Sequence, residues 1–188
     1  MKIYFIEKDF NNSKYLNAYF SENRNVKIIN SDLESLMKKY DVECIACGSD
    51  SFGLMKSDYD KEILDLYGKN VQDKIQKFII DNYNAEQPIT TSFIIEIDGT
   101  DKCLIHTPPT RLQEKIIDER VVYQCMRTTL LLAKRNRIQS IVIPMFGLYK
   151  GQLEPQRIAR LMRQAYDQID NKVTEINWEY ANKIRFDI

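Results

Sequence analysis

One histidine, four cysteines, one tryptophan and six glycines are all that the 188 residues supply of those types. His106 is the lone histidine, and no Ser-His-Asp set can be assembled around it. At the end of a predicted strand it reads as a packed or hydrogen-bonded side chain. Among the cysteines, Cys44 and Cys47 form a C-x-x-C, while Cys103 and Cys125 stand apart. A zinc site would need a second pair, and a redox pair is expected at a helix start rather than inside an apolar strand. All four therefore read as structural, and neither a metal nor a cofactor is expected. Excess charge of one sign is also missing: 27 basic and 27 acidic residues sum to zero. Bulk electrostatics gives nucleic acid or an anionic membrane nothing to hold. No apolar run approaches the roughly 18 residues of a membrane span. The start, MKIYFIEKDF, meets acidic residues too early for a signal peptide. A cytoplasmic location is expected.

What is present is organised around the stretch from Asp41 to Asp60. An apolar run, Val42 to Cys47, stops at Gly48. A polar turn follows, Gly48-Ser49-Asp50-Ser51, then Phe52-Gly53-Leu54-Met55, and a helical pattern starts near Asp58. In open α/β sheets ligands bind where a strand delivers its loop into a helix. Free N–H groups at the helix start favour an anion there. A second junction of this kind follows the short apolar strand Gln139 to Pro144 and carries Gly147 to Gly151.

Taken in order, strands are predicted at Lys2 to Glu7, Val26 to Ile29, Val42 to Cys47, Ile89 to Ile97, Lys102 to His106 and Gln139 to Pro144. Asp98-Gly99 signals a hairpin between the fourth and fifth. Helices are predicted at Lys14 to Phe20 and Leu33 to Lys39. Ser13 would cap the first, with Tyr15, Ala18 and Tyr19 on one face; Ser31 or Asp32 would cap the second. Others run from Asp58 to a left-handed Gly68, Asn70 to Tyr83, Glu119 to Asn136 and Glu154 to Ile169. The tail alternates enough for a strand at Val173 to Trp178 or Ile184 to Ile188. The pattern predicts an α/β fold, a three-layer α/β/α sandwich with a mixed central sheet. Residues 1–188 read as a single domain with the tail 173–188 packed on it.

Three strand-end elements could share one crevice: Asn30-Ser31-Asp32, the loop Gly48 to Ser57 and the loop Met145 to Gly151. A carboxylate, a small polar turn and a glycine-containing loop suit a nucleotide diphosphate. GLYKGQ lacks the spacing of a Walker A loop. Single residues also have plainer readings. Asp32 serves equally as a helix cap, Arg111 as a solvated charge, and Tyr149 either stacks on a ligand ring or lies half-buried under the last helix. A nucleophilic Cys47 has little support.

At these residues the chain resembles the macro domain family. Ser31-Asp32-Leu33 is similar to that family's Gly-Asp-Ile. The segment Cys47 to Asp60 is similar to a branch reading Ser-Pro-Ala-Asn-Ser-Phe-Gly-Phe-Met-Asp-Gly-Gly-Ile-Asp. Leu104 to Arg111 is similar to a strand ending in Ala-Pro-Thr-Met-Arg, and Ile143 to Gly151 to the second phosphate loop. The resemblance implies a domain that binds ADP-ribose or a related nucleotide. Asp32 would take the adenine amine. The backbone of Ser57, Asp58 and Tyr59, and of Gly147, Leu148, Tyr149, Lys150 and Gly151, would hold the diphosphate. Ser31, Gly48 and Ser49 complete the expected ligand set. Some members remove ADP-ribose from proteins, which implies a possible ADP-ribosylated protein partner and, alternatively, an ADP-ribosyl hydrolase with Asp50 and Asp58 as catalytic candidates. Departures from the family pattern, Lys56-Ser57-Asp58 for Asp-Gly-Gly and Leu148-Tyr149 for a small-Gly pair, motivate a third reading: a non-catalytic interaction domain with a filled pocket.

Overall fold

Alternation along the strands decides where the helices pack. In β1 (Lys2–Ile6), Ile3 and Phe5 face one core while Tyr4 and Ile6 face another. The computed structural model describes residues 1–112, 114–148 and 152–183. Its remaining strands are β2 (Val26–Ile29), β3 (Cys44–Cys47), β4 (Phe93–Glu96), β5 (Cys103–His106) and β6 (Ser140–Pro144). They form one sheet in the order β2-β1-β6-β3-β5-β4. Every pairing is parallel except β4 with β5, where the Asp98-Gly99 turn returns the chain at once.

Seven helices are described: α1 (Phe10–Phe20), α2 (Leu33–Lys39), α3 (Asp58–Tyr67), α4 (Asn70–Tyr83), α5 (Arg120–Arg135), α6 (Pro155–Asp170) and α7 (Trp178–Lys183). Leu16, Met126 and Met162 place α1, α5 and α6 on the Ile3–Phe5 face. Leu36, Ile63 and Ile75 place α2, α3 and α4 on the Tyr4–Ile6 face. The result is the expected three-layer sandwich with a mixed sheet. Among the described residues no helix is long and apolar enough to cross a membrane.

Three local expectations are corrected. Asp9, not Ser13, caps α1, accepting the Asn11 N–H at 2.8 Å. Ser13 is instead buried inside the helix, where its hydroxyl accepts from Asn30 Nδ2 at 2.6 Å. The inward face is therefore Ser13, Leu16 and Phe20; Tyr15 and Tyr19 only flank it, and Ala18 is exposed. Two asparagines in the first turn, weak helix formers, hid that start. The fourth strand begins only at Phe93, because Pro88 to Thr91 forms a turn with Thr90 at φ 66°. Val173 to Trp178 forms no strand; Asn177 instead accepts the Tyr180 N–H at 2.9 Å and α7 starts at Trp178. The alternative at Ile184 to Ile188 lies outside the described residues.

Candidate functional site

Parallel pairing brings the carboxyl ends of β1, β6, β3 and β5 to one edge of the sheet. A hollow of about 240 Å³ opens there. β3 and β6 are direct neighbours, so the loops that follow them meet. Gly48 lies against the ring of Phe146: a Cβ on it would stand 2.9 Å from Cδ1. Gly147 sits at φ 80°, and a Cβ there would stand 2.6 Å from Ile116 Cδ1. Neither position tolerates a side chain, Gly48 because of the close approach and Gly147 because of its conformation as well.

The first turn of α3 forms another wall. Ser57 caps the helix by accepting the Asp60 N–H at 3.1 Å, while the Asp60 carboxylate accepts the Ser57 N–H at 3.0 Å. This reciprocal box fixes the angle at which the Gly48–Ser57 loop enters the helix. Ser57→Ala should cost about 1 kcal/mol of stability, read from the urea midpoint. Asp60 is buried, and burial holds its carboxyl above the usual carboxylate range. It also accepts from the Cys47 thiol at 3.3 Å. Burial pushes that thiol well above its ordinary value, which leaves Cys47 unsuited to attack.

Of the residues singled out from sequence, Ser31, Gly48, Ser49, Ser57, Asp58, Tyr59, Gly147 and Leu148 all line the hollow. Asp32 does not. It is the N-cap of α2, accepting the Ser35 N–H at 2.7 Å, and that bond lowers its pKa. Asp50 is 1% exposed and turned into its own loop, where its carboxylate accepts the N–H groups of Phe52 and Leu54 at 3.0 and 3.2 Å. Asp58 is exposed at the rim, paired with Lys61 at 3.1 Å. Tyr149, Lys150 and Gly151 lie outside the described residues. Arg111 grips Glu86 through two bonds, of 2.7 and 3.0 Å, and its guanidinium lies 5.0 Å from the Phe52 ring centre. Phe52 does not enter the hollow.

Sequence reasoning missed Glu7, Lys8, Asp60, Glu62, Pro109 and Thr110, which also line it. Asp60 had a signal, the Ser-x-x-Asp of a capping box. Glu7 and Lys8 were findable as the residues just past a first strand. Glu62 had none, because its place depends on where α3 crosses α2.

His106 stands behind this site, fully buried under Phe93, with ring centres 5.2 Å apart. Gln87 Nε2 donates to the carbonyl and hydroxyl of Thr91, which leaves Gln87 Oε1 facing His106 Nδ1 at 2.6 Å. That network assigns the proton to Nδ1. Burial drives the imidazole pKa down to about 3, so the ring is neutral.

The Macro domain family model matches residues 47–162, more than half of the chain. No curated protein matches. Among solved structures, a mutant Oceanobacillus iheyensis macrodomain with ADPR is 20% identical, over 73% of this chain and 76% of that one, at a TM-score of 0.62. The macrodomain of Mycobacterium tuberculosis DarG is 16% identical, over 70% of this chain and 85% of that one, at 0.59. Thermosipho africanus DarTG in complex with ADP-ribose is 13% identical, over 88% of this chain and 50% of that one, at 0.59.

Proposed function

This chain belongs to the macro domain family, and from that premise we propose that its strand-end hollow binds ADP-ribose or a related nucleotide diphosphate. The observation that carries the reading is the open space between the Gly48-Ser49 and Phe146–Leu148 turns. Side chains have not filled it: Phe52 is held outside by Arg111. Helix geometry leaves the first N–H groups of α3 without intrahelical partners. Ser57 takes the one at Asp60, so those of Asp58 and Tyr59 are the donors offered to a phosphate. Two of the similar structures hold ADPR or ADP-ribose, which supports the choice of ligand.

Binding is favoured over hydrolysis. Asp50 is buried, holds its own loop through one carboxylate oxygen and is not part of the hollow's lining, and Asp58 sits at the rim beside Lys61. Neither is placed to activate a water over a buried bond. An ADP-ribosylated protein is the natural macromolecular partner, its linked ADP-ribose entering from the open side. Four unpaired thiols fit a reducing, cytoplasmic setting.

Calorimetry with ADP-ribose should give heat that saturates at one ligand per chain. An ADP-ribosylated peptide should compete for the same site. No heat at millimolar ADP-ribose would remove the reading.

A further inference from the structure

Charge at the hollow runs against an anionic ligand. Its described lining carries four acidic side chains, Glu7, Asp58, Asp60 and Glu62, and one cation, Lys8. That cation is already engaged. Lys8 Nζ lies 2.7 Å from Glu62 Oε1. The other oxygen of Glu62 accepts the Leu33 N–H at 2.7 Å. Glu62 is thus pinned at both oxygens, its side chain 19% exposed, and it stays in the lining of the hollow. The hydrogen bond that Lys8 donates to Glu62 raises the Lys8 pKa, and Asp32 and Asp58 add to it, as expected where the local field is negative.

We infer that Glu62 is the residue that sets the hollow's selectivity against free anionic nucleotides: it neutralises Lys8 and repels phosphate. This rests on the nucleotide-binding reading of the site. The physical consequence holds whichever way round the ligand lies, since removing one negative charge and releasing one lysine both favour an anion. With Glu62 in place, free nucleotides bind weakly. A ligand delivered on a carrier, at high effective concentration, is the kind the hollow retains.

Glu62→Gln is the test, because the amide oxygen can still accept the Leu33 N–H and preserve the α2–α3 contact. ADP-ribose should bind this variant about tenfold more tightly than the parent at low salt, and the margin should shrink as salt screens the charges. Adding Lys8→Gln should return affinity to the parent's level. If the parent binds ADP-ribose and Glu62→Gln binds it equally or more weakly, or gains affinity without salt dependence, the inference about Glu62 falls and the ligand reading stands. If only the variant binds, the inference about Glu62 stands and the reading of the parent as a binder of free ADP-ribose falls. If neither chain binds, the ligand reading itself has failed and this inference goes with it.

Discussion

Acidifying the protein from pH 7 to pH 4 should cost about 3 kcal/mol of stability through His106 alone. The ring has a pKa of about 3 in the fold against the ordinary 6.5 of an exposed imidazole. Its contribution is fully present above 6.5, where folded and unfolded states are both neutral. As pH falls below that, the unfolded chain takes up a proton that the buried ring refuses. Stability is lost steadily until the folded pKa is reached. Asp60 acts in the opposite sense: its carboxyl is raised in the fold, so protonation relieves a buried charge and returns some stability at low pH. Exposed carboxyls with lowered values, Asp32 and Asp41 among them, push the same way as His106, weakened by solvent screening. A His106→Gln variant keeps all of these and lacks only the imidazole. Urea unfolding across pH 7 to 4 should show the parent falling more steeply than the variant. Parallel slopes would mean that the ring is accessible to a proton in the fold.

Gly48→Val should abolish detectable ADP-ribose binding, a loss of roughly a hundredfold or more. The Cβ alone would stand 2.9 Å from Phe146 Cδ1, and valine adds two methyl groups beyond it. Phe146 is 2% exposed, so it has no free volume to retreat into except the hollow. Either the ring moves into the hollow or the two loops part; both destroy the space. The same crowding should cost about 1–3 kcal/mol of stability. The variant should therefore still unfold cooperatively, with a lower urea midpoint, while calorimetry gives no heat. Retained binding would show that the ligand does not pass between these two turns.

The fold was largely legible because its signals are local. Runs such as CIAC and SIVIP mark strands buried on both faces, and long amphipathic stripes mark α5 and α6. What local signals could not carry was the partnership between distant residues. The Val173–Trp178 alternation resembles a strand, yet it pairs with no strand of the described sheet. The site divided the same way. Gly48, Ser49 and Ser57 follow from a strand running into a helix. Asp32 and Asp50 are the residue types a ligand site needs, and both carboxylates instead accept backbone N–H groups of their own segments, a common use of aspartate at helix starts and turns. The Lys8–Glu62 pair joins the end of β1 to the second turn of α3, 54 positions later, and no spacing rule anticipates that.

The strand order places the sixth strand of the chain between the first and the third. Before Ser140 is synthesised, β1 with β2, and β3 with β5 and β4, have no common strand to join them. One late insertion welds the two half-sheets together, and the Phe146–Leu148 wall arrives with it. A growing polypeptide therefore has no such hollow until Ser140–Pro144 and the turn after it have emerged, and a break within that strand would weaken the seam between the half-sheets and unseat one wall of the hollow together.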